Sequence, residues 1–426
     1  MNPSTVLQSG VDAVAFLVLI VLVMGIASLL ISRRTGISYI PLLIISGILV
    51  GPVLGIVNHV LARDLFSYVR VFGLFMILFA EGHHLWRSLL QKNLKPIALL
   101  DTAGILITAI LSGWFFSIVF SVPWNVGFLF GAIISATDPA TLIPLFRQHK
   151  IPKDIETVVV TESIFNDPLA IVLTSLALVF VFPEAPSAQI VEAIAEYISL
   201  YPAAITYFLY QLAVSLMLGG TIAYFGYLGI KKLKLRLSPY VEMLSLTLAF
   251  AGFLAGEIAL ASGFLVATVI GILLGNHDDF FGDTTASTTN AVERDKRFND
   301  LLSTFATVFV FVLLGASLDI SHASYHAIIY GSLVALFVIF VARPVSTLIL
   351  LPNLGWKKTL FIALEGPRGV VPASMASLPL ALGFMYGDPT MTYWGELILS
   401  SILITVLLSV ILETSWLVYL KRKLLE

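Results

Sequence analysis

Several charged residues lie inside the long apolar stretches of this sequence, and they are the first candidates for chemistry. A charge at the centre of a lipid bilayer costs about 2.5–3.5 kcal/mol even on the mildest scale, so such residues are functional candidates by default. These residues are Glu81, Asp101, Asp138, Glu162, Asp167, Glu257, Arg343, Glu365, Arg368 and Glu413.

The motif Thr137-Asp138-Pro139 lies in the middle of an apolar segment that spans residues 124–146. Proline removes a backbone donor and clashes with the preceding turn, so the sequence predicts a helix break over 137–140. A broken helix offers free carbonyl and side-chain oxygens at membrane depth, which suits a partly dehydrated alkali cation.

The next apolar segment, 155–182, contains Glu162-Ser163 and Asn166-Asp167. Residues four apart share a helix face, so Ser163 and Asp167 can face Asp138, while Glu162 and Asn166 share the neighbouring face. Asp138, Asp167, Ser163 and Thr137 then form an all-oxygen cage suited to a hard cation, and we expect sodium there.

Two arginines also lie in apolar segments, and a buried guanidinium needs a carboxylate because it cannot lose its proton. We expect Glu162 to pair with Arg343, with Arg368 as the alternative partner, and Glu365, close in sequence, is a candidate partner of Arg368. Packing between helices is an alternative role for both arginines. Glu81 either reaches the cation site from the cytoplasmic side or is a solvated residue at the interface.

The composition identifies the class of protein that holds these residues. Of 426 residues, 58% are hydrophobic and 12% are charged, against about 25% charged in soluble domains. The net charge is −2, so no basic field favours nucleic acid. Cysteine is absent, which excludes disulfides and thiolate metal sites. The first ten residues contain no Lys or Arg, so no cleavable signal peptide is expected.

Thirteen apolar segments can be distinguished, and they predict an all-α polytopic membrane protein with 13 transmembrane helices. With the N-terminus outside, alternate connectors and the C-terminus hold 20 of the 24 Lys and Arg residues, which places them and the C-terminus in the cytoplasm. The histidines His83, His84 and His149 would lie at the cytoplasmic edge. The segments span 11–31, 38–60, 65–82, 96–120, 124–146, 155–182, 201–229, 239–259, 262–275, 300–319, 325–351, 357–384 and 392–420.

The twelfth segment is interrupted by Gly366-Pro367-Arg368-Gly369, as the fifth is by Asp138-Pro139. Paired interruptions in opposite halves indicate an inverted-repeat transporter whose two broken helices cross. We therefore expect one membrane domain over 1–426, with six-helix repeats at 1–182 and 239–420 and a linking helix at 201–229. The connectors 183–200 and 276–300 are expected to be solvated.

Together, Thr137-Asp138-Pro139, Glu162-Ser163, Asn166-Asp167, Arg343 and Gly366-Pro367-Arg368-Gly369 resemble the NhaP-type monovalent cation:proton antiporters, relatives of the animal sodium/proton exchangers. The resemblance covers nearly the whole chain. It implies a cation and proton site of Asp138, Asp167, Thr137, Ser163 and Asn166, with Asp167 the principal carboxylate and Glu162 paired with a buried arginine. It also implies a homodimer in the cell (inner) membrane, without a cofactor. The Asn166-Asp167 pair resembles the electroneutral branch, and Glu81 has no counterpart across the family.

A buried carboxylate can be neutralised by a proton or by a cation, so one site can exchange sodium or lithium for protons. We expect one-for-one exchange by alternating access, with both ions competing for Asp167. Three alternatives remain: a potassium/proton antiporter, a sodium-coupled symporter whose Arg368 binds an organic acid, and an intramembrane protease with Asp138 and Asp167 as its dyad. Asn166 and the two arginines argue against the protease, so we expect a transporter that is not an enzyme.

Overall fold

The computed structural model describes residues 10–35, 38–83, 85, 87–138, 142–143, 146, 149–232, 240–276, 286–318 and 325–426. These residues are almost entirely helical. The helices are α1 (Gly10–Thr35), α2 (Tyr39–Ile48), α3 (His59–His83), α4 (Arg87–Leu99), α5 (Ile105–Phe120), α6 (Trp124–Ile134), α7 (Lys153–Val179), α8 (Pro186–Ile198), α9 (Leu200–Lys232), α10 (Val241–Ile258), α11 (Gly263–Gly275), α12 (Ala286–Ala316), α13 (Tyr325–Phe337), α14 (Arg343–Thr347), α15 (Leu351–Ala363), α16 (Val370–Met375), α17 (Leu378–Tyr386) and α18 (Pro389–Leu420).

Short π-helical turns extend several of these helices. They lie at Leu49–Val53, Leu100–Gly104, Val338–Ala342 and Lys421–Leu425, and a 3₁₀ turn lies at Leu348–Leu350. Within α15, Gly355 has φ 74° and ψ 167°, a left-handed conformation that glycine adopts without strain. This glycine separates the predicted eleventh and twelfth segments.

In the described part of the chain, nine helical stretches are long and apolar enough to cross a membrane, and four shorter apolar ones accompany them. Each of the 13 predicted segments overlaps one of these stretches. The multi-pass, all-helical architecture is confirmed, while the number of crossings stays a prediction. The helices pack around one large apolar core that includes Phe116, Phe130 and Phe311, each almost fully buried.

Two predicted connectors are more regular than the sequence indicated. Residues 183–200 contain α8, a helix that the sequence did not indicate, and the residues from Glu192 to Leu200 are mostly exposed. The other connector, 276–300, ends in the first turns of α12, which begins at Ala286. Both stretches are polar enough to resemble loops, because a helix at the membrane surface needs only one apolar face. The acidic residues Asp278, Asp279 and Asp283 lie outside the described residues.

Two interrupted helices cross in the interior, at the positions that the sequence predicted. Helix α6 ends at Ile134 and the chain is non-helical through Asp138. Pro139 and Ala140, the rest of the predicted break, lie outside the described residues. The second interruption separates α15 from α16 and is non-helical over 365–369. The two are joined where the Asp138 N–H donates to the Pro367 carbonyl, at 2.8 Å.

The crossing is close because Gly369 has no side chain. A Cβ on Gly369 would collide with Cβ, Cγ and Oδ2 of Asp138. Glycine at this position therefore sets how near the two interrupted helices approach, and with it the position of the Asp138 carboxyl.

We predict that Gly369→Ala lowers the free energy of unfolding by about 1–3 kcal/mol, the usual cost of extra volume in a packed interior. Thermal unfolding of the purified protein in detergent measures the change. Gly220→Ala is the matched control, because a Cβ there meets nothing within 4 Å and alanine favours the helical state of α9. Equal stability of the two variants would show that the crossing tolerates a side chain.

Candidate functional site

Thr137, the residue before Asp138, is held by Asn166 on α7. The amide Oδ1 of Asn166 accepts from the Thr137 N–H at 3.2 Å, and its Nδ2 donates to Thr137 Oγ1 at 2.7 Å. Both residues are almost fully buried. One side chain thus fixes the non-helical backbone of the first interruption and orients its hydroxyl.

The hydroxyl groups nearby form a chain with a defined direction. Thr137 Oγ1 lies 2.9 Å from Ser163 Oγ, and Ser163 donates its proton to the Val159 carbonyl at 3.0 Å. Because Ser163 uses its only proton there, Thr137 must donate to Ser163. Each hydroxyl oxygen then accepts one hydrogen bond and keeps one lone pair that can point toward a cation.

Three carboxyl groups from different parts of the chain meet beside this hydroxyl chain. Asp138, Asp167 and Glu81 are close enough to interact electrostatically. Oδ1 of Asp167 and Oε2 of Glu81 are buried and have no hydrogen-bond partner among the described residues. Tyr39, on α2, also lies near Asp138 and Glu81. Neighbouring negative charges at membrane depth must be neutralised by protons or by a cation.

The structure places the Glu81 carboxyl close to those of Asp138 and Asp167. Tyr39 was missed by sequence reasoning, because a tyrosine at the start of a helix carries no signal of a site. His83 was expected at the cytoplasmic edge but is only 1% exposed, and its Nε2 lies 3.3 Å from Oδ2 of Asp295.

Glu162 and Arg343 form a buried ion pair, the pairing that the sequence favours. Nη1 and Nη2 of Arg343 donate to the two carboxylate oxygens of Glu162 at 2.5 and 2.8 Å. The arginine reaches α7 past Gly366, where a Cβ would lie only 2.6 Å from the arginine Nε. Two parallel hydrogen bonds fix the angle between the groups as well as their distance. The pair therefore ties α7 to α14.

Arg368 does not pair with Glu365, contrary to the sequence expectation. Its Nη1 donates to the carbonyls of Ser135 and Ala136 at 2.8 and 2.9 Å. Carbonyls just past the end of a helix lack intrahelical donors and carry partial negative charge, which a guanidinium satisfies. Both carboxylate oxygens of Glu365 lack a hydrogen-bond partner among the described residues. Arg368 is thus a cap on α6.

Helix α18 supplies partners to the second interruption. Oε2 of Glu413 accepts from the Gly366 N–H at 2.7 Å, and Ser409 Oγ accepts from the Arg368 N–H at 3.0 Å. Trp416 Nε1 donates to the Leu364 carbonyl at 3.1 Å. Ser409 and Glu413 are four residues apart and share a helix face, a spacing that could have identified them.

The site therefore separates into two groups of charges. Glu162, Arg343, Arg368 and Glu413 bind other charges or backbone groups and hold the interrupted helices. In contrast, the Asp167 carboxyl keeps an oxygen without a partner, next to two hydroxyls with free lone pairs. Oxygen atoms alone suit a hard monovalent cation and not a soft transition metal.

Comparison with known proteins identifies the family of this chain. A family profile described as "Sodium/hydrogen exchanger, transmembrane" matches residues 18–423 of this chain. A protein named Na⁺/H⁺ antiporter 1 from Methanocaldococcus jannaschii is 34% identical over 431 aligned residues, which cover 95% of this chain and 94% of that protein. The chain belongs to the sodium/hydrogen exchanger family.

Two further similarities extend this result. A solved structure of a sodium proton antiporter from Methanocaldococcus jannaschii at pH 8 matches with a TM-score of 0.83 and 32% identity, over 97% of this chain and 98% of that chain. A protein named K⁺/H⁺ antiporter NhaP from Alkalimonas amylolytica is 26% identical over 374 residues, covering 85% of this chain and 60% of that protein.

We predict that Glu162→Ala and Arg343→Ala each lower the free energy of unfolding by about 3–5 kcal/mol, because each leaves one buried charge unpaired. The double variant should lose less than the sum of the two, since the residues are in direct contact. The free energy of unfolding in detergent is measured for the unchanged protein, the two single variants and the double variant.

The exposed pair of Lys358 and Asp154 is the control for this cycle. The side chains of Lys358 and Asp154 are 43% and 47% exposed, and such a pair contributes about 1 kcal/mol or less to the free energy of unfolding. Strict additivity between Glu162→Ala and Arg343→Ala would contradict the account of a buried pair.

Proposed function

We propose that this member of the sodium/hydrogen exchanger family exchanges sodium ions for protons across the membrane. The observation that carries the proposal is the unpartnered Asp167 oxygen beside Asp138 and the hydroxyls of Thr137 and Ser163, at the crossing of two interrupted helices. The names of the relatives agree with it. We infer that sodium and protons are the substrates.

The mechanism follows from one site with two alternative occupants. A proton on Asp167 neutralises its charge, and a sodium ion held by Asp167, Asp138, Thr137 and Ser163 does the same. An uncompensated carboxylate is costly at membrane depth. If the site can move between the two sides only when it is neutralised, sodium and protons must travel in opposite directions.

The remaining residues have distinct parts in this proposal. Asn166 positions Thr137, because both polar atoms of its amide already bind that residue. It contributes to the cation site through Thr137 and does not need to touch the ion. Glu81 adds a third carboxyl from α3, and its approach to Asp167 brings that helix into contact with the ion site.

We further propose that one sodium ion exchanges for one proton, so that no net charge moves. An amide at Asn166 carries no charge, which leaves Asp167 as the one carboxylate of that pair able to release a proton. The resemblance of the Asn166-Asp167 pair to that of the electroneutral branch supports the same stoichiometry.

A potassium/proton antiporter is the nearest alternative, and the name of the Alkalimonas amylolytica relative favours keeping it. Transport assays with lithium, sodium and potassium distinguish these cations. An organic-acid symporter receives less support, because it would need Arg368 to bind a substrate carboxylate. The Nη1 of that residue is already bound to two backbone carbonyls.

We propose that the chain is a homodimer in the cell membrane, with its N-terminus outside and its C-terminus in the cytoplasm. The most apolar windows of α1 and α9 are each only 22% buried, which leaves their faces for lipid or for a second copy. We also propose that residues 1–182 and 239–420 are inverted repeats joined by 201–229. The interruptions after α6 and after α15 occupy corresponding places in these two halves.

Asp167→Asn should abolish sodium-driven proton movement in proteoliposomes while leaving folding intact, because the amide can neither release a proton nor neutralise a cation. An internal pH dye measures the rate after a sodium gradient is imposed. Asp154→Asn is the matched control on the same helix; its side chain is 47% exposed and should leave the rate unchanged. Exchange at the wild-type rate in Asp167→Asn would overturn the proposal.

A further inference from the structure

A cavity of about 350 Å³ lies on the side of the protein away from the predicted cytoplasmic loops. Helices α3, α7, α8 and α9 and the adjacent ends of α16 and α17 surround it, and residues 260–262 border it. The polar side chains that line it include Arg70, Ser175, Gln211, Glu257 and Ser374, and Oε1 of Glu257 accepts from the Gly263 N–H at 3.0 Å. None of these residues belongs to the cation site described above.

Three polar atoms at this cavity have no hydrogen-bond partner in the part of the chain that the structure describes. They are Nε of Arg70, Oε1 of Gln211 and Oγ of Ser374. Gln211 is 5% exposed and Ser374 is 1% exposed. Unsatisfied polar atoms at membrane depth are strongly unfavourable when hydrocarbon surrounds them. The cavity is therefore built for a polar occupant and not for a lipid tail.

The cavity lies directly above the cation site along α7. Asp167, Ile171 and Ser175 follow one another at four-residue spacing and share one helix face. Ile171 and Ser175 line the cavity, and Asp167 lies one turn deeper, about 6 Å along the helix axis. Ile171, which is 3% exposed, thus lies between the cavity and the carboxyl.

Arg70 introduces a permanent positive charge into this space. Its Nη1 donates to Ser377 Oγ at 3.4 Å, which links α3 to the turn between α16 and α17. Among the described residues it forms no ion pair with a carboxylate, unlike Arg343. A guanidinium remains charged at all accessible pH values. A cation that entered the cavity would meet this charge before it reached Asp167.

We propose that the cavity is the outer vestibule of the ion pathway and that Arg70 is its gate. The hydrogen bond to Ser377 holds the vestibule narrow, and the charge of the guanidinium repels cations from it. Arg70 is a positioning residue that acts on access and does not bind sodium. This inference rests on the proposed exchange function, since it assigns an entry path to the same site.

The natural absence of cysteine allows a direct test in the full-length protein. Ser175→Cys places one thiol on the vestibule wall. Methanethiosulfonate reagents that do not cross membranes, one cationic and one anionic, are added to intact cells and to permeabilised cells. Labelling rates are compared in four backgrounds, which are the unchanged protein, Arg70→Gln, Arg70→Lys and Ser377→Ala. No sodium or pH gradient is applied, so the outcome is independent of whether the transported ion is sodium.

We expect labelling from outside in intact cells, with a ratio of anionic to cationic labelling rates about fivefold higher than in Arg70→Gln, because both proteins keep Glu257 and differ in the Arg70 charge. Arg70→Gln should also speed cationic labelling by about tenfold, the factor that a hydrogen bond to a charged group is worth. Arg70→Lys should restore the higher ratio. Ser377→Ala should speed both reagents equally, because it removes the hydrogen bond and keeps the charge.

A second cysteine variant distinguishes opening of the cavity from a general increase in the accessibility of buried residues. Ser112 is fully buried and does not line the cavity, so Ser112→Cys should stay unlabelled in every background. Labelling of Ser112→Cys in the Arg70→Gln background would overturn the proposal, as would a ratio of anionic to cationic labelling rates that Arg70→Gln leaves unchanged. Labelling of Ser175→Cys only after permeabilisation would show that the cavity opens to the cytoplasm, and it would also overturn it.

Discussion

Backbone groups that leave a helix inside a membrane must find new partners, and this constraint shapes the centre of the protein. Two helices are interrupted at mid-span, and each interruption supplies what the other lacks. Arg368 from the second satisfies carbonyls at the end of α6, and the Asp138 N–H from the first satisfies the Pro367 carbonyl. Without partners, each such group would cost about 1–3 kcal/mol or more. The crossing therefore stabilises both interruptions together.

This arrangement explains why so many charges are buried and why only some of them are available to an ion. Arg343 is bound to Glu162, and Glu413 to the backbone of the second interruption. Substituting Glu162, Arg343 or Glu413 should therefore lower the stability of the fold before it alters ion binding. Asp167 is different, because one of its oxygens has no partner among the described residues while Asn166 fixes the hydroxyl beside it. A carboxyl with an unpartnered oxygen beside a fixed hydroxyl is what competition between proton and cation requires.

The sequence predicted the features whose cause is local. Proline next to Asp138 and the Gly-Pro-Arg-Gly run predicted both interruptions, and a buried Arg343 required a carboxylate such as Glu162. The sequence did not predict the contacts in which the partner of a side chain is a backbone group. The chemistry of Arg368 favoured Glu365, its neighbour in sequence, but from the non-helical segment 365–369 its side chain reaches carbonyls in the other half of the chain. Surface helices such as α8 were missed because their polar residues resemble those of a loop.

The central claim is that sodium and a proton exclude each other at Asp167, and the proton released by sodium binding tests it most directly. Calorimetric titration of purified protein with sodium, repeated in buffers of different ionisation enthalpy, counts the protons released per ion. The account predicts one proton per sodium ion well below the pKa of the site, with apparent affinity falling about tenfold per pH unit there, and none released well above that pKa. Sodium binding with an affinity independent of pH and no proton release would contradict it.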